Sequence, residues 1–122
     1  MEKFEELVGV TLTNIVNLEN LELVFTLDTG DRYRLCHDQD CCESVQIVDI
    51  SGDLDDLIGQ PILMAEEVSN DKDPPGYEPE PYRESFTWTF YKLATNKGGV
   101  TVRWYGRSNG YYSESVDFGP VP

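Results

Sequence analysis

Two adjacent alternating stretches in the last third of the sequence restrict the fold more than any other feature. In residues 85–95 the aromatic residues Phe86, Trp88 and Phe90 alternate with Thr87, Thr89 and Tyr91, which places the aromatic side chains mainly on one face of a strand. Residues 100–105 alternate in the same way, and a glycine-containing turn at 96–99 separates the two stretches. We therefore predict a β-hairpin. A second turn sequence at 106–110 and an extended stretch at 111–118 predict that the hairpin continues as a three-stranded meander.

Shorter alternating stretches predict strands in the first half of the chain. In residues 21–27 every second residue is leucine or phenylalanine, and a turn signal follows at 28–31. A single helical turn is predicted at 54–58, with Asp53 as its N-cap and Gly59 as its C-cap. The remaining predicted strands are 8–17, 32–36, 43–50 and 61–68. The predicted fold class is mainly β with a minor helical part: an antiparallel sheet, or a small sandwich or roll, of seven to eight strands with one or two short helices.

The length of the chain predicts a single domain over residues 1–122. Apolar residues make up 39% of the chain, enough for a core without metal ions or disulfides. Between residues 69 and 84 the composition changes, because four prolines stand among acidic residues. This composition predicts a flexible acidic, proline-rich loop, which is either a lid or a tolerated insertion.

The charge of the chain is strongly negative, with 23 acidic and 9 basic residues and a net charge of −14. Such a charge repels phosphate backbones, so we expect no direct contact with nucleic acid. It leaves two interpretations, simple solubility or an acidic surface for a basic partner protein. The last third is mildly basic by contrast, and a basic patch on an acidic protein is a candidate pocket for a small anion. Its basic residues are Lys92, Lys97, Arg103 and Arg107.

The cysteines and the N-terminus indicate an intracellular protein. There are three cysteines, Cys36, Cys41 and Cys42, which is not the pattern of a disulfide framework. Neighbouring strand residues point to opposite faces, so we expect Cys41 and Cys42 not to bond each other. The acidic N-terminus does not resemble a signal peptide, and no apolar run approaches the length of a membrane span. We expect a cytoplasmic location and no membrane partner.

Residues capable of metal binding or catalysis are few. His37, Asp38, Asp40 and one cysteine could form a mixed metal site, which leaves a metal-dependent hydrolase as one alternative. His37 is, however, the single histidine of the chain, and no glycine-rich phosphate loop precedes a predicted helix. We therefore predict no metal, no cofactor and no catalytic residues, and expect that the chain is not an enzyme.

The turn and strand around residues 103–112 combine the residue types that bind nucleotides. Arginine grips phosphate in a forked geometry, aromatic rings stack on bases, and asparagine reads polar edges. We predict a ligand site in which Arg103 and Arg107 hold phosphate, Trp104, Tyr105 and Tyr111 stack, and Asn109 contacts a polar edge, with Arg34 and His37 as weaker contributors. The alternative is ordinary sheet packing, in which Trp104 and Tyr112 belong to the core and the arginines pair with surface acids.

Four blocks of sequence resemble an uncharacterised family of short acidic proteins encoded by bacteriophages and bacteria. The blocks are HDQDCCE at 37–43, GDLDDLIG at 52–59, WTFYKLAT at 88–95 and WYGRSNGYYS at 104–113. The resemblance implies a counter-defence protein of the host cytoplasm, and a homo-oligomer. Two functions follow. The chain would sequester a nucleotide-derived immune second messenger, of the cyclic ADP-ribose or cyclic oligonucleotide class, or its acidic surface would block a basic, nucleic-acid-binding host defence effector.

Overall fold

The computed structural model describes residues 1–80 and 83–122. These residues form eight strands in two four-stranded antiparallel sheets that enclose one core, which confirms the mainly β fold class and decides in favour of a sandwich. The strands are β1 (Leu12–Leu18), β2 (Glu22–Leu27), β3 (Arg32–Cys36), β4 (Ser44–Ser51), β5 (Met64–Asn70), β6 (Ser85–Thr95), β7 (Gly98–Ser108) and β8 (Asp117–Pro120). The first sheet has the order β1-β2-β3-β8 and the second the order β4-β7-β6-β5.

The predicted hairpin is confirmed as the pair β6 and β7, the longest ladder of the molecule. Its register runs from Thr95 opposite Gly98 to Ser85 opposite Ser108. β7 continues three residues beyond the predicted end at 105. These extra residues carry Arg107 to the far end of the sheet, where β4 also pairs with it.

The predicted meander is wrong. Residues 111–116 are not a strand, and β8 pairs with β3 in the opposite sheet instead of with β7. Residues 109–116 cross from one sheet to the other and pack against Gly106 of β7, where an added Cβ would lie 2.8 Å from the carbonyl oxygen of Glu114. The Glu114 carboxylate accepts hydrogen bonds from the hydroxyls of Thr87 and Ser108, and it thereby holds the crossing segment against the end of the hairpin.

The core consists of the inward residues of both sheets. Leu23 and Phe25 of β2 face Tyr91 and Leu93 of β6, as the period of two predicts. The ring of Phe4, from a 3₁₀ turn at Phe4–Leu7, packs edge-on against Tyr91 with 4.8 Å between ring centroids. The turn extends through residues 8 and 9, where Gly9 has a φ of 89°, so the first strand begins at residue 12 and not at residue 8 as predicted.

The predicted helical turn is present as a 3₁₀ turn at Leu54–Leu57. Asp53 caps it as predicted, accepting a hydrogen bond of 2.9 Å from the backbone N–H of Asp55. The C-cap is Ile58 and not Gly59. Both helical turns in the described part of the chain are four residues long, and neither is long or apolar enough to cross a membrane.

Candidate ligand-binding face

The outer face of the second sheet carries three of the predicted ligand residues. Along β7 the side chains of Val102 and Trp104 enter the core. The strand geometry therefore directs Arg103, Tyr105 and Arg107 outward. These three residues pair in register with Asp49, Gln46 and Ser44 of β4, and with Phe90, Trp88 and Phe86 of β6.

An aromatic group lies at the centre of this face. The rings of Trp88 and Tyr105 are 4.5 Å apart between centroids. Tyr77, from the segment that follows β5, packs edge-on against Trp88 with 4.9 Å between ring centroids, and its ring is tilted by 51° against that of Tyr105 at 5.7 Å. Trp88 is consequently buried, although it does not belong to the core between the sheets. Tyr105, which was predicted to stack on a ligand, is only 6% exposed, so a nucleotide base would meet the half-buried ring of Tyr77.

Residues 71–80, here called the strap, lie across this aromatic group. The carboxylate of Asp73, in the strap, accepts hydrogen bonds from both terminal nitrogens of Arg83, at 2.8 and 2.7 Å, and from the indole N–H of Trp88 at 3.1 Å. The hydrogen bond from Arg83 lowers the pKa of the Asp73 carboxyl, so the pair is ionised at neutral pH. The loop predicted at 69–84 thus begins after Asn70, where β5 ends, and its residues 71–80 contact the sheet. The predicted loop residues Pro81 and Tyr82 lie outside the described residues.

Glu80 ends the described strap beside Tyr105. Its carboxylate accepts a hydrogen bond of 2.9 Å from the Tyr105 hydroxyl. Burial would raise the pKa of Glu80, but hydrogen bonds from its own backbone N–H and from Tyr105 outweigh burial and lower it. Burial raises the pKa of Tyr105, and Glu80 adds to that effect. A neutral hydroxyl therefore faces an ionised carboxylate at this point.

Two cavities adjoin on the face. The first has a volume of about 290 Å³ and the second of about 250 Å³. The first is lined by Ser44, Gln46, Val48, Tyr77, Glu80, Trp88, Arg103, Tyr105 and Arg107. The second is lined by Cys42, Ser44, Arg83, Glu84, Arg107, Ser108 and Asn109.

Arg103 and Arg107 retain hydrogen-bonding capacity on this face. Arg107 is exposed and forms no ion pair within 4.0 Å with any residue that the structure describes. The closest approach of Arg103 to a carboxylate is 3.9 Å, to Asp49, and its Nε has no partner among the described residues. The guanidinium of Arg103 also lies 5.4 Å from the centroid of the Trp88 ring. Both side chains can therefore accommodate an anion.

The other predicted ligand residues of this region lie in three different environments. Asn109 lines the second cavity, and its side-chain Oδ1 accepts a hydrogen bond from the backbone N–H of Tyr111. Tyr111 is 84% exposed, packs against Tyr112 and lines neither cavity among the described residues. Trp104 is only 1% exposed and belongs to the core. The prediction that Trp104 stacks on a ligand is thus corrected, because the alternation of β7 turns it to the opposite face.

Arg34 and His37 lie in another part of the molecule, at the first sheet. Arg34 donates a hydrogen bond of 3.1 Å to Glu22, which lies diagonally across the β2–β3 ladder. Arg34 and His37 line a different cavity, of about 520 Å³, together with Asp38 and Asp117. The prediction that they assist Arg103 and Arg107 is therefore corrected, because β3 and β7 belong to different sheets.

His37 forms an ion pair within the protein. Its Nε2 lies 2.8 Å from Oε2 of Glu43, and its Nδ1 lies 2.7 Å from the carbonyl oxygen of Ser115. A carbonyl can only accept, so Nδ1 carries a proton and a second proton on Nε2 faces the carboxylate. Both nitrogens are thereby occupied. Among residues 1–80 and 83–122 no group of three or more histidine, cysteine, aspartate or glutamate side chains is placed to hold a metal ion.

The turn that precedes β4 closes around Glu43. The backbone N–H groups of Asp40 and Cys41 donate to its carboxylate at 3.0 and 2.8 Å. Burial acts to raise the pKa of Glu43, but the hydrogen bonds from His37, Cys41 and Asp40 prevail and lower it to about 2. The structure also joins Cys41 to Cys42 in a disulfide, contrary to expectation, and leaves Cys36 free.

Several residues of the face were not predicted from the sequence. Trp88 could have been found, because the alternation of β6 assigns its aromatic residues to one face and Tyr91 and Leu93 to the other, and a sandwich strand has one core face. Tyr77, Asp73 and Arg83 gave no such signal, since they lie in a segment without periodicity.

Comparison with known proteins gives one match. A sequence model of the family described as "Domain of unknown function (DUF7448)" matches residues 5–118, which is nearly the whole chain. No curated protein and no solved structure matches it. The chain therefore belongs to the DUF7448 domain family.

Proposed function

We propose that this protein binds a nucleotide-derived anion on the outer face of its second sheet, without catalysing its conversion. One observation carries the proposal: Arg103 and Arg107 flank Tyr105 on the same strand face, beside two cavities, and Arg107 has no ion pair with any described residue. On a protein with a net charge of −14, an arginine that keeps its charge unpaired beside a cavity favours an anionic ligand.

The side chains of the face match the parts of a nucleotide. Guanidinium groups such as those of Arg103 and Arg107 bind phosphate oxygens through two parallel hydrogen bonds. The half-buried ring of Tyr77 offers a surface on which a base can stack. The amide of Gln46 in the first cavity can bind the polar edge of that base.

The biological role we propose is counter-defence by a bacteriophage. The ligand would be an immune second messenger of the cyclic ADP-ribose or cyclic oligonucleotide class, sequestered in the host cytoplasm by an oligomer of this chain. The resemblance to phage-encoded proteins supports this role, and so does the combination of phosphate-binding and stacking side chains on the face.

A second candidate function is that an acidic surface blocks a basic host protein. Asp53 and Asp55, exposed on the 3₁₀ turn between β4 and β5, favour it. Glu43, Asp73 and Glu80 weaken it, since their carboxylates bind groups within the protein. Binding to a basic partner would decrease steeply as the salt concentration rises. We do not propose a metal-dependent hydrolase, because both nitrogens of His37 are engaged.

Thermal unfolding of the purified protein in the presence of nucleotides tests the proposal. The panel contains cyclic ADP-ribose isomers and cyclic di- and trinucleotides. A ligand at a hundred times its dissociation constant adds about 2.7 kcal/mol of stability, which raises the unfolding temperature by several degrees. The variants Arg103→Ala and Arg107→Ala should lose this increase, whereas Arg32→Ala, an exposed arginine of the first sheet, should retain it. No increase with any compound would overturn the proposal and direct attention to the acidic surface.

A further inference from the structure

We infer that the ligand contains two nucleoside units joined through phosphate, and that it lies across both cavities with a phosphate at Arg107. The inference rests on the proposed function and adds to it the size and the charge pattern of the ligand. It follows from the connection, the volumes and the charges of the two cavities.

The two cavities share one pair of lining residues. Ser44 and Arg107 line both of them. These residues are direct partners in the ladder between β4 and β7, so their side chains lie on the same face of the sheet. A ligand that fills one cavity therefore meets Arg107 at the boundary with the other.

The volumes favour a ligand that occupies both cavities. Ligand pockets that enclose a small molecule usually measure about 300–1,000 Å³. Neither cavity reaches this range alone, since they measure about 290 and 250 Å³. Occupied together they fall within it. A mononucleotide would leave one of the two unfilled.

The charged side chains of the two cavities indicate where the phosphate of the ligand binds. The first cavity ends at the ionised carboxylate of Glu80, and the second contains Glu84. Arg107 lies between them, as a residue common to both linings. Carboxylates repel phosphate but accept hydrogen bonds from amino groups of bases and from sugar hydroxyls. Arg103 also lines the first cavity, and Arg83, which is paired with Asp73, lines the second. The matching ligand thus carries a phosphate at Arg107 and places uncharged polar groups beside Glu80 and Glu84.

The chemistry of the two cavities assigns one unit of the ligand to each. The first cavity presents the ring of Tyr77 and the amide of Gln46, which suit a stacked base. The second presents the side-chain NH₂ group of Asn109, which suits the hydroxyls of a sugar or the edge of a second base, whereas the Ser108 hydroxyl and Oδ1 of Asn109 bind groups within the protein. Arg103, at the first cavity, can contact a second phosphate where the ligand is cyclic.

Isothermal titration calorimetry with matched pairs of nucleotides tests the inference. The pairs are AMP with cyclic di-AMP, and GMP with cyclic di-GMP. In the pair whose base the first cavity accepts, the two-unit compound should bind about tenfold or more tightly than the mononucleotide, because the second unit adds hydrogen bonds. Asn109→Ala should reduce this ratio toward one, and Arg107→Ala should weaken both members of the pair. Arg32→Ala serves as the control for folding and for net charge.

The outcomes separate the inference from the proposed function. A ratio well above one that decreases in Asn109→Ala supports both. Equal binding of the mononucleotide and the two-unit compound, with a loss of both in Arg107→Ala, would overturn the two-unit ligand and leave the nucleotide site intact. If none of the four compounds binds and the wider panel raises no unfolding temperature, the proposed function fails, and the inference fails with it.

Discussion

Nε2 of His37 lies 2.8 Å from Oε2 of Glu43, and both side chains are almost inaccessible to solvent, at 4% and 0% exposure. The opposite nitrogen of the imidazole binds the carbonyl of Ser115. One ion pair therefore connects the turn before β4 with the segment that crosses between the sheets. Its protonation should control how firmly these two segments are held together.

The first prediction is that the pair contributes most to stability between about pH 4.5 and pH 6.5. The pKa of Glu43 is lowered from 4.5 to about 2, so its contribution is lost as the pH falls through this interval. The pKa of His37 is raised above 6.5: burial opposes the shift, but the hydrogen bonds to Glu43 and Ser115 prevail. Its contribution is complete below 6.5 and lost as the pH rises through the folded value.

Urea unfolding of the wild type and of Glu43→Gln at pH 3, 5.5 and 8.5 measures this dependence. The difference in unfolding free energy between the two proteins should be largest at pH 5.5. Glu66→Gln, an exposed position on β5, controls for the general effect of the 23 acidic residues. A difference that is the same at all three values would show that the pair is not ionised in the folded protein.

The second prediction concerns the contact between the strap and the sheet. Asp73→Asn should lower the free energy of unfolding by about 1–3 kcal/mol, because it leaves the half-buried guanidinium of Arg83 without its carboxylate. It should also change the tryptophan fluorescence, since Trp88 donates to Asp73 and packs against Tyr77. Asp71→Asn, an exposed position of the same strap, should change neither quantity. Equal effects of the two substitutions would mean that Asp73 does not anchor the strap.

The sequence predicted strands accurately where alternation and turn signals coincide. The bounds of β3 and β6 are those predicted, 32–36 and 85–95. The destination of the last strand could not be predicted, because the choice between β7 and β3 as its partner depends on contacts distant in sequence. The hydrogen bond between Nδ1 of His37 and the carbonyl oxygen of Ser115, 78 residues apart, is such a contact.

The same limit applies to the candidate site: residues of one strand could be grouped from the sequence, but residues of different strands could not. Arg103, Tyr105 and Arg107 share a face because a strand has a period of two, and that face was visible in the sequence. The same period separates Trp104 from them. Arg34 and His37 could not be excluded from the site without knowing that β3 and β7 lie in different sheets.

The third prediction tests the close packing of the crossing segment, residues 109–116, against Gly106. Gly106→Ala should destabilise the protein by about 1–3 kcal/mol, since the new methyl group would lie 2.8 Å from the Glu114 oxygen and 2.9 Å from its Cβ. Gly119→Ala is the matched control, because Gly119 also lies in a strand and has nothing within 4 Å of an added Cβ. Chemical denaturation of both variants gives the comparison. A Gly106→Ala variant as stable as Gly119→Ala would contradict the close approach of the crossing segment.

The fourth prediction separates two aromatic residues that the sequence assigned to one site. Trp104→Phe should lower the free energy of unfolding by about 1–3 kcal/mol, because the smaller ring leaves a void in the core. Tyr111→Ala should change it by no more than about 0.5 kcal/mol, because Tyr111 is 84% exposed. Neither substitution should change the affinity for a nucleotide bound at Arg107, as neither side chain lines the two cavities. Urea unfolding and calorimetric titration measure the two quantities independently. A loss of affinity in Tyr111→Ala would place the ligand at the tip of the turn after β7, and not between β4 and β7.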